Sequence, residues 1–502
     1  MHTCPRAYRP GARVGSGAEL RGGTELKGGA ELKGGAGLGS GTELGGQRRA
    51  LDRRIAALAI PALGSIAAEP LYNLADTAIV GHLGRTPLDS LAIATSALSV
   101  VAWLAIFLSM ATTSTVARLA AAAGGSAEAG RAVGAAYLVA AVWGMVTSAV
   151  LVTVASPLAQ ALGAHGAVLA GATTYLRAAA VGVPFLYLSF VGNGHLTGLA
   201  NVRTPLRIAV SANVLNVAAE VILVFGLHTG LTGSAWGTVA AQVAAAAAYA
   251  RASARQDKAR PRRPGRAEIK RVLTDGHRLS VRTIALGVVP LAATAIVARL
   301  GPVALGGQQV AYRLWWVLSF SLDALAVPAQ VYVSAAIGAG DPDGARRVGR
   351  RTLLIGLCTG TGLGVLTALL ALGAPSLFTT DPAIRHAAVV GLLASALTQP
   401  LVALAYVLDG LILGIGDYAA MRRAMLLAIG GFVPFAVLTL RFHWLGLPGV
   451  WAALGLWLAA RSVILGRRWA SYVRATAGSA DPGRSGRCPP GPVLPVSPNE
   501  TA

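Results

Sequence analysis

Apolar residues dominate the chain from about residue 55 to residue 468, in runs of about 20 residues separated by short polar breaks. A helix needs about 20 apolar residues to cross a bilayer. The pattern therefore predicts an all-α integral membrane protein. The 12 predicted spans are 55–80, 88–111, 132–156, 168–192, 205–227, 231–250, 272–298, 304–334, 350–373, 384–412, 420–440 and 446–467. The composition of 54% apolar and 13% charged residues, with a mean hydropathy of +0.60, excludes an ordinary soluble protein.

Basic residues are concentrated on one side of this predicted topology. Nine of them fall between the sixth and seventh spans: Arg251, Arg255, Lys258, Arg260, Arg262, Arg263, Arg266, Lys270 and Arg271. The opposite loops hold little beyond Arg85, Arg299, Arg385 and Arg441. By the positive-inside rule, both termini lie in the cytoplasm of a cell-membrane protein. The net charge of +22 then reflects basic loops that orient the protein in the lipid bilayer, which is the expected partner. No nucleic-acid partner is expected.

An internal duplication divides the chain. Residues 77–84, TAIVGHLG, and residues 294–301, TAIVARLG, are 217 positions apart. Two six-helix bundles are predicted, 51–250 and 272–470, joined by the basic linker 251–271 and related by a pseudo-twofold axis along the membrane normal. We expect disorder in the Gly-rich hexad repeats of residues 1–50 and in the tail 471–502, with a hexapeptide β-helix as the alternative for the repeats.

A carboxylate distinguishes the two repeats, because Asp76 aligns with Ala293. An acid inside a membrane helix costs about 2.5 to 3.5 kcal/mol, so we expect a function for it. Glu69, Asn73 and Asp76 follow the i, i+4, i+7 spacing of one helix face. This polar stripe must face a cavity or other helices rather than lipid.

Two prolines interrupt the same predicted helix. Pro61 and Pro70 each remove a backbone donor, which favours a helix that bends during a transport cycle. A static kink is the alternative.

The fifth predicted span carries a second polar face, formed by Asn213, Asn216 and Glu220. At 1.5 Å per residue, Asp76, Glu220 and Thr238 lie about 6, 9 and 12 Å below the outer ends of their helices. Two close carboxylates in a low dielectric hold a shared cation or proton. A purely structural acid cluster is the alternative.

The C-terminal half has its own acids, Asp323 and Asp409, toward the cytoplasmic ends of the eighth and tenth spans. We expect a gating or packing role, with ligand binding second. Cys4, Cys358 and Cys488 show no metal-ligand or disulfide spacing, so no cofactor and no metal are expected.

Three segments together resemble the signatures of the multidrug and toxic compound extrusion (MATE) family, DinF-like branch: 69–84 (EPLYNLADTAIVGHLG), 322–330 (LDALAVPAQ) and 408–417 (LDGLILGIGD). The resemblance covers about residues 51–470. It implies a MATE-type fold and an ion-coupling site at Asp76, Asn216, Glu220 and Thr238. Two positions depart from the family pattern. Glu220 stands where an Asp is usual, and His195, where an Arg is common, is expected to be a solvated loop-end residue, with a cytoplasmic latch as the alternative.

The resemblance implies a monomeric secondary active efflux antiporter, which exports amphipathic, often cationic small molecules by alternating access in exchange for H⁺ or Na⁺. No nucleotide-binding loop is present, so an ion gradient must supply the energy. A shared proton between two carboxyls favours H⁺. A lipid-linked oligosaccharide flippase is the alternative. Such flippases tend to have a strongly basic central cavity, whereas few buried arginines are expected here. An intramembrane enzyme is disfavoured because no metal-ligating or nucleophilic constellation is found.

Overall fold

The computed structural model describes residues 41–477, apart from the side chains of residues 41–45, 69–71, 320 and 443. These residues form helices and short connections, with no strand among them. The fourteen α-helices within the described range are α1 (Gly41–Gly81), α2 (Arg85–Ala121), α3 (Ser126–Ala161), α4 (Gly166–Ala180), α5 (Val183–Gly198), α6 (Arg203–Val221), α7 (Leu231–Ala254), α8 (Arg266–Leu300), α9 (Pro302–Gly338), α10 (Pro342–Ala371), α11 (Pro375–Phe378), α12 (Pro382–Ile415), α13 (Tyr418–Arg441) and α14 (Gly446–Ala477).

The predicted multi-span, all-α fold is confirmed. Within residues 41–477, ten helices are long and apolar enough to cross a membrane, and the pair α4 and α5 makes an eleventh span if it is counted as one. The sixth predicted span corresponds to the alanine-rich helix α7, which is not one of these ten helices.

The fourth predicted span differs from the structure in its shape. In place of one helix over 168–192, α4 and α5 meet at an angle of 50°. Gly182 precedes α5 and Pro184 lies in its first turn. Proline has no backbone N–H to continue a preceding helix, so the chain turns at this point.

The first helix is longer than predicted, because it begins at Gly41 within the last Gly-rich hexad rather than at residue 55. The expectation of disorder through residue 50 was therefore wrong for residues 41–50, where helix-forming residues such as Leu44, Gln47 and Arg48 outweigh the glycines. Residues 1–49 form a separate unit of the chain, and residues 41–49 are its described part. The other hexads and the tail from residue 478 lie outside the described residues.

Helix packing follows the two halves. In the N-terminal half α5 packs on α2, α3 and α7, and α6 packs on α7; in the C-terminal half α12 packs on α9, α10 and α14. Across the halves, α2 contacts α8 and α9, and α3 contacts α8. Helix α1 buries Ile55, Leu58 and Val80 among its neighbours.

Contacts between the halves gather at the end where α1 begins and α2 ends, which we call the closed end. The Ser114 and Tyr418 hydroxyls are 2.7 Å apart. Arg351 on α10 donates two hydrogen bonds, of 2.5 and 2.6 Å, to the Asp52 carboxylate on α1.

At the closed end, the end of α2 packs closely against two glycines of the C-terminal half. A Cβ atom added at Gly338 would overlap the Arg118 carbonyl group, with only 3.0 Å to the Arg118 Cα. A Cβ added at Gly416, which has φ of +76°, would lie 2.5 and 2.7 Å from the Arg118 guanidinium nitrogens. We call this pair of glycines the glycine notch.

Candidate functional site

Asp76 on α1 is buried, with 2% of its surface exposed. The Ser234 hydroxyl of α7 donates a hydrogen bond of 2.8 Å to its Oδ1 atom. One turn earlier on α1, the Tyr72 hydroxyl lies 3.0 Å from the Thr238 Oγ1 atom. Two residues of α1 thus meet two residues of α7, each pair spaced by four and therefore on one helix face.

Helix α6 contributes Asn216 and Glu220, which are 3% and 0% exposed. Asn216 donates a hydrogen bond of 3.3 Å from Nδ2 to Thr238 Oγ1. Gly237 allows α7 to approach here, because a Cβ at this position would lie 3.2 Å from the Glu220 backbone nitrogen. After Val221 the backbone widens into a π-helical turn, Ile222–Gly226. Such turns are frequent at functional sites.

The site is rich in hydrogen-bond acceptors. The Glu220 carboxyl lies beside that of Asp76 and near the Ser234 hydroxyl. Neither Glu220 oxygen, nor Asn216 Oδ1, makes a hydrogen bond of normal geometry with a described residue. A buried carboxylate without a partner is costly. Two carboxyl groups, an amide oxygen and hydroxyl oxygens suit a proton or a hard monovalent cation. The described residues contain no group of three His, Cys, Asp or Glu side chains that could hold a metal ion.

The structure thus brings together the four side chains proposed for coupling: Asp76, Asn216, Glu220 and Thr238. The sequence reasoning missed Ser234 and Tyr72. The signal was available, since each stands four residues before a proposed site residue on the same helix.

The polar stripe predicted on α1 is only partly correct. Asn73 is exposed, and Tyr72 makes the polar contact in its place, through its hydroxyl group to Thr238. At 100° per residue, Tyr72 (i−4) and Asn73 (i−3) lie on opposite sides of Asp76 when the helix is viewed along its axis. The contacts with α7 are made on the side of Tyr72. The side chain of Glu69 lies outside the described residues. Helix α1 is continuous through Pro61 and Pro70, and its bending during a cycle stays a prediction.

An apolar cleft of about 690 Å³ adjoins the site between α1 and α6. Tyr72 and Asn213 are its polar members, and Ala68, Ala75, Val214 and Val217 are among the apolar ones. Asn213 is held in place by a hydrogen bond of 2.9 Å from Nδ2 to the Ala68 carbonyl oxygen.

The acids of the C-terminal half have a different environment. Asp409 Oδ2 accepts a hydrogen bond of 2.5 Å from Arg282 on α8 and another from Arg461 on α14. Asp323 is partly buried and interacts electrostatically with both arginines. Arg461 also stacks over the rings of Tyr406 and Trp457, 5.7 and 5.9 Å from their centroids.

Arg282 and Arg461 are buried in this cluster, with 4% and 1% of their surface exposed. Both lie well inside apolar predicted spans, and a basic residue there needs an acidic partner at membrane depth. That requirement indicates an acidic partner for each arginine, but not which acid it is.

His195 also differs from expectation. It lies in the last turn of α5, is fully buried and sits beside Ala259, so it is not a solvated loop-end residue. The reason is that the linker after α7 folds back over it, which no local sequence signal indicates.

Comparisons with known proteins identify the family. The MatE family model matches residues 61–222 and 279–438, which is more than half of the chain and one match in each half. The chain belongs to the MATE family. It is 32% identical over 430 residues to Protein DETOXIFICATION 44, chloroplastic, of Arabidopsis thaliana, covering 82% of this chain and 80% of that protein.

Two further likenesses agree with this MATE assignment. The chain is 27% identical over 435 residues to DNA damage-inducible protein F of Escherichia coli (strain K12), covering 84% of this chain and 93% of that protein. This similarity supports the DinF-like branch. In fold, the chain resembles the Vibrio cholerae MATE transporter VcmN in the bent form, with a TM-score of 0.79 and 17% identity over 86% of this chain and 98% of that one.

Proposed function

We propose that this MATE protein is a secondary active efflux antiporter, which exports amphipathic, often cationic compounds in exchange for protons by alternating access. Sodium is the second candidate ion. The observation that carries the proposal is the pair of buried carboxyl groups, Asp76 and Glu220, which have no cationic partner among the described residues. A proton or cation arriving there offsets an electrostatic cost, which provides a driving force for a conformational change.

The arrangement around the carboxyl pair supports the proposal. The pair joins α1 to α6 and α7, and the apolar cleft between α1 and α6 begins beside it. Occupancy of the site by an ion can therefore change the position of α1 and the width of the cleft together. A transporter of amphipathic compounds needs such an apolar surface next to a few polar groups.

The orientation completes the proposal. With both termini in the cytoplasm of a cell-membrane protein, the closed end lies on the cytoplasmic side, so this structure represents a state closed to the cytoplasm. The flippase alternative has less support, because the buried arginines of the C-terminal half are paired with Asp409 rather than free to bind pyrophosphate.

Counterflow in proteoliposomes tests this function. We expect an imposed pH gradient to drive export of a cationic dye without sodium. Asp76→Asn should abolish export with normal insertion, since it removes a titratable group at nearly constant volume. Asp89→Asn, at an exposed acid paired with Arg85, is the matched control and should transport normally. Full export by Asp76→Asn would refute the coupling site, and export driven only by a sodium gradient would assign the site to sodium.

A further inference from the structure

The linker between the halves is a docked element rather than a loose tether. We call residues 255–265, between α7 and α8, the strap. The Arg262 backbone N–H donates a hydrogen bond of 2.9 Å to the Gly130 carbonyl oxygen on α3. Ala259 is fully buried in a small apolar cluster with Val116, Ala129 and Val133. The strap therefore has a defined position against the N-terminal half.

Two glycines of α3, one turn apart, make this docking possible. A Cβ added at Gly130 would lie 3.1 Å from the Arg262 Cγ atom and would overlap the Arg260 carbonyl oxygen. A Cβ added at Gly134 would overlap the Arg262 carbonyl oxygen. Any larger residue at either position would lift the backbone of the strap away from the helix.

The far end of the strap is held by Glu268 in the first turn of α8. Its Oε2 atom accepts a hydrogen bond of 3.0 Å from the Gly265 backbone N–H, and Oε1 accepts one of 2.9 Å from Arg131 on α3. The strap thus continues from α7 of the N-terminal half into α8 of the C-terminal half while lying on α3.

The strap and the adjoining helix ends present nine cationic side chains, all exposed: Arg251, Arg255, Lys258, Arg260, Arg262, Arg263, Arg266, Lys270 and Arg271. The acids of the same stretch are Asp257 and Glu268, and Glu268 is already paired with Arg131. In the described part of the chain, Arg260, Arg262 and Arg263 have no ion-pair partner. The fold therefore gives this surface a defined position but does not neutralise it.

We propose that the strap is a binding surface for the anionic headgroups of the surrounding phospholipids. It connects the ends of two helices of the membrane bundle, at the level where headgroups lie. Arginine side chains reach along a membrane surface and bind phosphate oxygens in bidentate fashion. Clusters of four to eight basic residues next to membrane helices attract anionic lipids in this way. Bound lipid favours the docked strap and so couples leaflet composition to the relative position of the halves.

Native mass spectrometry of the purified full-length protein tests this proposal without any transport readout. The protein is titrated with phosphatidylglycerol and, separately, with phosphatidylcholine. The variant Arg260→Gln/Arg262→Gln/Arg263→Gln removes three strap charges, and glutamine retains the Cγ of Arg262 that lies against Gly130. We expect the wild-type protein to retain phosphatidylglycerol preferentially, and the strap variant to bind it at least tenfold more weakly at an unchanged unfolding temperature.

The matched control is Arg299→Gln/Arg385→Gln/Arg441→Gln, which removes the same charge from exposed positions at the opposite end of the bundle. It should retain phosphatidylglycerol like the wild type. Equal loss of lipid binding in both triple variants would show that net charge alone determines binding, wherever the charges lie, and would overturn the proposal. Undiminished binding by the strap variant, or displacement of the lipid by inorganic phosphate alone, would overturn it as well. Because the measurement is of binding, its failure is distinct from a failure of the antiporter function.

Discussion

The substitution Gly338→Ala should prevent the halves from meeting at the closed end. Its new Cβ would overlap the Arg118 carbonyl group, which is backbone and has no rotamer that relieves the clash. Overpacking of this kind costs about 1 to 3 kcal/mol. The cost falls only on the conformation in which α2 occupies the glycine notch, so the population of the closed-end state should drop by a factor of about 5 to 150.

Gly362→Ala is the control for Gly338→Ala. Gly362 also lies in a helix of the C-terminal half, and nothing stands within 4 Å of a Cβ built there. Alanine is favoured over glycine in a helix interior by about 1 kcal/mol, so this variant should fold and transport at least as well as the wild type.

Distances between spin labels at Ser126 and Arg350 measure the effect of Gly338→Ala. Both residues are exposed, and they lie on different halves at the closed end. We expect one main short distance in the wild type and in Gly362→Ala, and a dominant longer distance in Gly338→Ala, accompanied by slower dye counterflow. A short distance and a normal transport rate in Gly338→Ala would show that the notch has no part in closure.

Two further predictions concern the polar clusters of the two halves. Ser234→Ala removes the hydrogen-bond donor to Asp76, and a hydrogen bond to a charged group contributes about 1.5 to 3 kcal/mol. This variant should slow dye counterflow about tenfold or more, whereas the control Ser96→Ala, at an exposed serine, should not. Equal rates in the two variants would contradict a role for this donor. Asp409→Ala leaves two buried arginines without their shared carboxylate and should destabilise the protein by about 3 to 5 kcal/mol, measured as a lower unfolding temperature in detergent. The control Asp343→Ala, at an exposed acid, should change the stability by less than about 1 kcal/mol. Equal shifts of the unfolding temperature in the two variants would refute the argument.

Much of the membrane architecture could be predicted because the bilayer permits few alternatives. Spans of about 20 apolar residues, basic loops on one side and a carboxylate such as Asp76 at membrane depth are all local properties of the sequence. Helix spacing then selected Asn216 and Glu220, since residues three and four apart share a face. These inferences depend on a single helix at a time.

What could not be predicted depends on which helices meet. Asp409 was recognised as a polar position, but its pairing with Arg282 and Arg461 depends on how α8, α12 and α14 pack, which periodicity does not indicate. The burial of His195 depends on a strap that folds back onto glycines of another helix. For the same reason Ser234 was missed, although its spacing from Thr238 was visible once the partner helix was known.

The two halves of this duplicated protein hold their buried acids in opposite ways, which assigns them different parts in the proposed cycle. Asp409 already has two guanidinium partners, so an arriving proton or cation would have to displace an arginine. Asp76 faces Glu220, and neither has a cationic partner in the part of the chain that the structure describes, so an arriving ion changes the net charge of the site.

Helix α1 can carry that change to the other end of the bundle. Asp52, which is held by Arg351 at the closed end, lies 24 residues before Asp76 on the same helix, a rise of about 36 Å. Because Asp52 and Asp76 belong to one continuous helix, a shift of α1 that starts at the ion site would reach the contact with Arg351. In the proposed cycle, the ion site and the closed-end contact are therefore linked through one helix.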